Sequence, residues 1–438
     1  MDKNKRLTVW LPVIIAASIA LGIFIGNHYL SISQGKKRSY SSGNKINAIL
    51  DIIDEQYVDT VSMSKLVEST IPKIFSELDP HSVYIPAEDA SVVNEELEGS
   101  FSGIGVSFNM QTDTILVISV ISGGPAEKAG LLPFDRIISI NDSIFSGKKK
   151  NQGEIMKTLR GAKNSTVKLG VQRGNSPELL YFDVTRGDVP VNSVDVSYEA
   201  AKGIGYIKVS KFARNTYNEF ITAIAKLKQA GCTSFVIDLR GNTGGYMDAA
   251  INMINEFMPE GRLIVYTEGK SFPRSDVYAN GTGTCKDAPI VVLTDEISAS
   301  ASEIFSGAIQ DNDRGTIIGR RTYGKGLVQT QMSLSDGSEM RLTIARYYTP
   351  SGRCIQKKYE MGNTDAYDQD IYNRYMHGEF DSADSIKMDD SLKYQTVGGR
   401  TVYGGGGIMP DIFIPRDTSG VTSYYSNVVN SGVLYLYA

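Results

Sequence analysis

At 438 residues, with 41% hydrophobic and 21% charged side chains, the chain is long enough to bury a full core and to divide into two or three domains. A formal net charge of -4 gives no sign of a nucleic-acid partner. Three cysteines far apart, Cys232, Cys285 and Cys354, exclude a disulfide-stapled framework and lack metal-ligand spacing, so no metal and no cofactor is expected.

Residues 1–6 form a short basic tail through Lys3, Lys5 and Arg6, and residues 7–25 then run without a charged side chain. About nineteen apolar residues are enough to cross a bilayer core. A cleaved signal peptide competes, but the run is long for one and no clear small-residue cleavage site follows it. An uncleaved transmembrane anchor is expected, with Pro12 tolerated near its start. The positive-inside rule then leaves residues 1–6 in the cytoplasm and everything beyond His28 outside. Residues 26–44, rich in Ser, Gly and Lys, read as a flexible tether.

Within 45–98, Ile46, Ile49, Leu50 and Ile53, then Leu66, Ile71, Ile74, Phe75 and Leu78, predict two amphipathic helices with a turn near Asp59 to Ser62. They fit either a self-association arm or a helical layer on the core. His81 follows in Leu78-Asp-Pro-His-Ser82 and reads as a structural hydrogen-bonding residue, since no second metal-type residue pairs with it.

From 99 to 187 the pattern changes to short β-like runs broken by glycine and proline. Phe101-Ser-Gly-Ile-Gly-Val106 opens it, Gly124-Pro-Ala-Glu-Lys-Ala-Gly130 predicts a short helix with a glycine stop, and Ile155, Met156 and Leu159 recur at helical spacing. The arrangement resembles a PDZ domain of the permuted bacterial type. Such a domain takes a peptide C-terminus as an added strand and holds its carboxylate on backbone N–H groups. Gly103, Ile104, Gly105 and Val106 are the candidate carboxylate loop, with Ile155 and Leu159 as the groove wall, which implies protein substrates with apolar C-terminal tails.

Residues 188–415 alternate strand and helix, so an α/β core with a largely parallel sheet is expected. Ser234-Phe-Val-Ile-Asp238 is a buried strand ending in Asp238-Leu-Arg-Gly-Asn-Thr-Gly-Gly245, at the strand end where α/β folds place their sites. Pro289-Ile-Val-Val-Leu293 is another, followed by Ser298, Ser300 and Ser302 and then by Ile304, Phe305, Ala308 and Ile309 at helical spacing. Any of these serines sits at a helix N-terminus, where unpaired N–H groups and partial positive charge favour an oxyanion. Each also fits a plain N-terminal cap. Lys325 stands between Gly324 and Gly326, an odd place for a solvated charge. The three histidines, His28, His81 and His377, lie elsewhere, so a lysine of lowered pKa is the expected base.

Ser-Ala-Ser300-Ala-Ser-Glu303 with Gly-Lys325-Gly-Leu-Val-Gln329 resembles the signature of the carboxyl-terminal processing peptidases, or tail-specific proteases, of family S41. In that family the nucleophile precedes the lysine by twenty-five positions and a glutamine follows it by four. The resemblance therefore implies Ser300, Lys325 and Gln329 as the catalytic set. It also implies an oxyanion hole formed by the N–H of Ala301 and that of Gly244 or Gly245, without deciding between the glycines. The implied fold is an α/β, ClpP/crotonase-like serine-protease core with an inserted PDZ domain and an N-terminal helical segment. Self-association is a further expectation, and an activating adaptor is left open.

Ser338 to Tyr348 alternates like a strand. Residues 356–400, polar and aromatic with few aliphatic side chains, read as a long, mobile surface insertion. Gly404 to Asp411 returns to a family-like ending, and Ile412 to Pro415 is a last strand. Residues 416–438 end in an uncharged Val- and Tyr-rich tail, which implies a chain cut short or a tail that packs.

Taken together, the expected protein is an endopeptidase held in the cell inner membrane with its catalytic domain periplasmic or otherwise extracytoplasmic. A silent membrane-tethered PDZ scaffold is the rival, and a Ser/Lys hydrolase of a non-peptide acyl substrate the third reading.

Overall fold

The structure, a computed structural model, describes residues 16, 18–22, 42–111, 114–147 and 151–431. The basic tail at 1–6 and most of the expected anchor at 7–25 lie outside the described residues, as do 26–41 and 432–438. Among the described residues no helix is long and apolar enough to cross a membrane.

The chain divides into units at residues 71 and 72. The first unit holds helix α1 (Ser42–Gln56) and the opening turns of α2 (Met63–Ser76), separated by the turn expected near Asp59. Ile46, Ile49 and Ile52 stand exposed on α1.

The second unit begins with strand β1 (Val83–Ile85) and helix α3 (Ala87–Glu98), which stops at Gly99 in a left-handed conformation, φ 80. Strand β2 (Ser100–Gly103) pairs antiparallel with β9 (Gly187–Pro190), so the chain enters and leaves the intervening body at one place. That body is a sheet in the order β3 (Val106–Gln111), β4 (Thr114–Val120), β5 (Arg136–Ile140), β7 (Thr166–Gln172), β8 (Leu179–Thr185), with β6 (Ser143–Ile144) beside β5. Alternate residues of its strands, among them Ile115, Val117, Ile137, Val167, Leu169 and Val171, bury against α4 (Pro125–Ala129) and α5 (Gln152–Leu159). Helix α5 starts where the Asn151 side chain accepts from the Glu154 N–H at 2.8 Å.

The expected parallel sheet is present in the order β10 (Val194–Ala201), β11 (Ile204–Val209), β12 (Ser234–Asp238), β15 (Ile290–Thr294), β16 (Thr316–Gly319), β21 (Ile412–Phe413), and only the β10–β11 pair is antiparallel. Its central strands are apolar runs because both faces are covered. Packed in the same core are α6 (Thr216–Gln229), α7 (Met247–Asn255) and α8 (Ala301–Asp311), with Phe220, Phe257 and Phe305 fully buried among them.

A second sheet was not legible in the sequence. It runs β1, β18 (Glu339–Tyr348), β13 (Leu263–Gly269), β14 (Phe272–Tyr278), with β17 (Leu327–Ser333) on β18. Strand β14 reads Phe-Pro-Arg-Ser-Asp-Val-Tyr and is mostly exposed, so ladder pairing with β13 rather than burial holds it extended.

The segment 356–400, expected as a long surface insertion, is mostly exposed but anchored to the core at several points. Gln356, Lys357, Tyr367, Arg374, Phe380, Ile386 and Thr396 are all buried. Helices α9 (Asp365–Asp368) and α10 (Asp370–Met376) and the hairpin β19 (Lys393–Gln395)–β20 (Thr401–Tyr403) organise the segment. Few aliphatic side chains suggested looseness, but cations and rings do the packing. Lys357 Nζ lies 4.0 Å from both the Tyr323 and Tyr367 ring centroids, and Arg374 donates to the carbonyls of Arg321 and Thr322. In the final segment, helix α11 (Ser423–Asn430) has no buried residue. Cys232, Cys285 and Cys354 are all free thiols.

Candidate active site

Strand β15 hands over to α8 through a turn closed by Asp295, whose Oδ1 accepts from the N–H groups of Ile297 and Ser298. Ser298 Oγ donates to the Leu239 carbonyl at 2.8 Å, and Ser302 Oγ to that of Asn242 at 2.9 Å. Both serines are fully buried, so structural duties occupy them. Ser300 is the partly exposed member of the three, at the N-cap with φ 55 and ψ -113. An L-residue held there is strained, the kind of cost that persists where the surroundings over-determine the backbone.

Glu303 is one of the groups that over-determine it. This carboxylate is wholly buried; Oε1 accepts from Thr322 Oγ1 at 2.5 Å and Gly324 N–H at 2.7 Å, and Oε2 from Ser300 N–H at 2.8 Å and Lys325 N–H at 2.9 Å. One side chain thus ties the serine turn to the lysine loop. Burial pushes its carboxyl up to about 7, against the pull of the four donors. Sequence reasoning missed this role, though the Ser300-x-x-Glu303 spacing is that of a capping box and could have pointed to it.

The glycine turn between β12 and α7 presses on the same place. Gly244 has φ 103, and a Cβ added there would lie 2.7 Å from Ser300 Cβ and 3.0 Å from Ala301 N. Gly245 has φ 140, and its Cβ would meet the Phe212 carbonyl oxygen at 2.1 Å. Only glycine fits either position. Gly244 N–H donates to Asn242 Oδ1 at 2.8 Å, whereas the N–H groups of Gly245 and Ala301 have no acceptor among the described residues. The geometry therefore separates the two glycines: the free donor belongs to Gly245.

Ser300, Gly244, Gly245, Lys325, Gln329 and Arg341 all line one cavity of about 500 Å³. Lys325 Nζ donates to Gln329 Oε1 at 3.0 Å; among the described residues it makes no ion pair and no hydrogen bond to Ser300 Oγ. Burial holds its pKa below the ordinary lysine value, and the Arg341 charge adds to that shift while Glu303 and Asp79 oppose it. Gln329 Nε2 donates to the backbone carbonyl of His81. The 78–82 segment thereby reaches the site, braced by Asp79, which accepts from His81 N–H at 3.0 Å, Ser82 N–H at 3.1 Å and Thr343 Oγ1 at 2.9 Å. The His81 imidazole is a hydrogen-bonding group, with Nε2 2.8 Å from Tyr367 Oη. Burial, then the charge of Lys325, pushes its pKa down to about 4, so it is neutral at neutral pH.

In the β3–β8 body a second cleft, of about 260 Å³, is lined by Phe101, Ile104, Gly105, Val106, Met156 and Leu159. Two of the expected groove residues are elsewhere. Ile155 is fully buried in the core of this body, because Gln152, Met156 and Leu159 share the helical stripe that faces the cleft. Gly103 lies in the β2–β9 ribbon, opposite Gly187.

The sequence pattern of peptidase family S41 matches residues 203–365, and that of the PDZ domain matches 102–195. The carboxy-terminal processing protease CtpB of Bacillus subtilis (strain 168) is 35% identical over 318 residues, which cover 72% of this chain and 66% of that protein. A probable CtpA-like serine protease of Staphylococcus aureus (strain N315) is 33% identical over 365 residues, 82% of this chain and 72% of that protein. Among solved structures, a photosystem II D1 C-terminal processing protease is similar over 86% of this chain and 94% of its own, at 24% identity and a TM-score of 0.42.

Proposed function

The chain belongs to peptidase family S41, the family of carboxy-terminal processing serine proteases, and from that premise we propose a membrane-anchored endopeptidase with a Ser300/Lys325 dyad. Its substrates are exported proteins, taken by their apolar C-terminal tails. The observation that carries this reading is convergence: a strained serine, a buried amine without a carboxylate partner and the free N–H of Gly245 come from three separate segments to one cavity.

In this mechanism the neutral Lys325 amine removes the Ser300 Oγ proton as the oxygen attacks the scissile carbonyl. The N–H groups of Gly245 and Ala301 donate to the oxyanion, and the Lys325 ammonium returns the proton to the leaving nitrogen as the C–N bond breaks. Water, deprotonated by the same amine, then attacks the acyl-enzyme and frees Ser300. The cleft beside α5 holds the tail remote from the bond that breaks. The run at 7–25 anchors the chain and puts this body on the extracytoplasmic side, a placement supported by the basic residues 3, 5 and 6. The exposed apolar face of α1 supports self-association.

The test is cleavage of a carrier protein with an apolar C-terminal tail beside the same carrier ending in aspartates. Preference for the apolar tail is expected, and equal cleavage of both removes the tail-recognition part. Met156→Asp in the cleft is expected to raise KM about tenfold or more with kcat little changed.

The lysine also sets a pH dependence. Activity requires the neutral amine, so kcat/KM rises with pH along a limb that lies below the ordinary lysine value of about 10.4. Arg341→Gln removes a positive charge that disfavours the ammonium, so the limb is expected to move to higher pH, by up to about one unit. A shift to lower pH in the pH–rate profile contradicts this assignment of the base.

A further inference from the structure

Five hydrogen bonds close a circuit around Lys325 and Gly326, and donor chemistry fixes the directions of those made by Gly326, Gln356, Gln329 and Lys325. The Gly326 N–H can only donate, and its acceptor is Gln356 Oε1 at 2.8 Å. With its oxygen committed, Gln356 turns its amide nitrogen the other way, where Nε2 faces Tyr367 Oη at 3.4 Å and the Lys357 carbonyl at 2.9 Å. Tyr367 Oη accepts there and pairs on its other side with the neutral His81 Nε2 at 2.8 Å. The His81 carbonyl can only accept, and it takes Gln329 Nε2. Gln329 Oε1 must then face Lys325 Nζ, at 3.0 Å, one residue from where the circuit began.

This order has a consequence for the amine. A neutral lysine that spends an N–H on Gln329 Oε1 carries its lone pair in another direction, which leaves it for the cavity that Ser300 lines. A flipped Gln329 amide would set donor against donor and lose that direction. The His81 carbonyl forbids the flip, and two braces hold the carbonyl: Asp79 on the backbone of His81 and Ser82, and Tyr367 on the imidazole.

We infer that Tyr367 and His81 are positioning residues of the catalytic base: acting through Gln329, they aim the Lys325 amine. The inference rests on the reading of Lys325 as the base. It makes the 356–370 segment, which contributes Gln356 and Tyr367, a working part of the site.

Tyr367→Phe in the full chain tests it, since the ring contacts with His81, Tyr323 and Tyr359 survive and only the hydroxyl is lost. With a fluorogenic peptide ending in an apolar tail, kcat is expected to fall about tenfold to a hundredfold at nearly constant KM. The rising limb of the pH profile is expected to move to lower pH, because the Gln329 Oε1 that loses its aim is an acceptor that favours the ammonium. His81→Ala should match this loss, and His81→Gln, whose amide oxygen can accept from Tyr367, should recover most of it. The exposed Tyr372→Phe should leave activity unchanged. A Tyr367→Phe protein with the parent kcat and limb overturns the inference, as does a loss that tracks the melting temperature and is not recovered by His81→Gln.

Labelling of Lys325 by acetic anhydride across pH, read by peptide mass spectrometry, needs no turnover. Tyr367→Phe should move the labelling midpoint downward, and an unmoved midpoint also overturns the inference. Cleavage that persists in Ser300→Ala instead overturns the dyad and leaves the labelling result to judge the circuit.

Discussion

Ser300→Ala and Lys325→Met are each expected to reduce cleavage by at least about 10,000-fold, with the double variant little worse than either, because members of one catalytic unit are not additive. Lys325→Arg should be as inactive as Lys325→Met, since a guanidinium stays protonated and cannot serve as base. Neither loss should come from unfolding. Ser300 has φ 55, so Ser300→Gly relieves backbone strain and is expected to be inactive yet more stable, by about 1 kcal/mol in denaturant titration. That pairing of lost activity with gained stability marks a residue kept for chemistry. Cleavage that survives both Ser300→Ala and Lys325→Met removes the dyad, and tail binding without cleavage by the unmodified chain favours the silent scaffold.

The second large effect lies at the other end of the same helix. Asp311, the last residue of α8, and Arg353 form a fully buried ion pair with Nη2–Oδ1 at 2.7 Å. The fork is further satisfied by Gln310 Oε1 at 2.7 Å and the Tyr403 carbonyl at 2.8 Å, and Ser351 Oγ donates to Asp311 Oδ2 at 2.7 Å. Removing one partner strands a charge in a dry interior, which costs about 3 to 5 kcal/mol. Arg353→Met and Asp311→Leu should each lose that much in the denaturant midpoint, and the pair together should recover a large part. A single variant within about 0.5 kcal/mol of the parent would show that the site relaxes or admits water. The pair also opposes the unfavourable placement of a carboxylate at a helix C-terminus, on the helix whose other end presents Ser300.

Each unforeseen part of the site joins residues remote in the chain. The Glu303 carboxylate gathers donors from Ser300, Thr322, Gly324 and Lys325, and the His81 carbonyl meets Gln329 from far upstream. The anchoring of the 356–400 segment was missed because hydrophobic patterning counts aliphatic side chains, whereas Lys357 and Arg374 bury by covering rings and capping carbonyls. In the cleft of the β3–β8 body, helical spacing marked the right helix but the wrong neighbour, Ile155 for Met156, because the period gives a stripe and only packing says which stripe faces the core.

By itself the sequence determined what short-range sterics encode: the strand-to-helix turns that carry the serines, the glycines at positive φ, the lysine flanked by glycines, and the alternation that makes an α/β core with a glycine-rich β body before it. Ser300 was singled out among three serines by its spacing to Lys325 in a resembling family. Tertiary structure alone decided that Ser298 and Ser302 are spent on carbonyls, that Gly245 rather than Gly244 has a free N–H, and that Gln329, His81, Tyr367 and Gln356 join in one hydrogen-bond chain from the Lys325 amine to the Gly326 N–H. The reason is that a turn or a helix face repeats within a few residues, while a buried hydrogen-bond partner is set by whichever segment folding brings within 3 Å and leaves no local period to read.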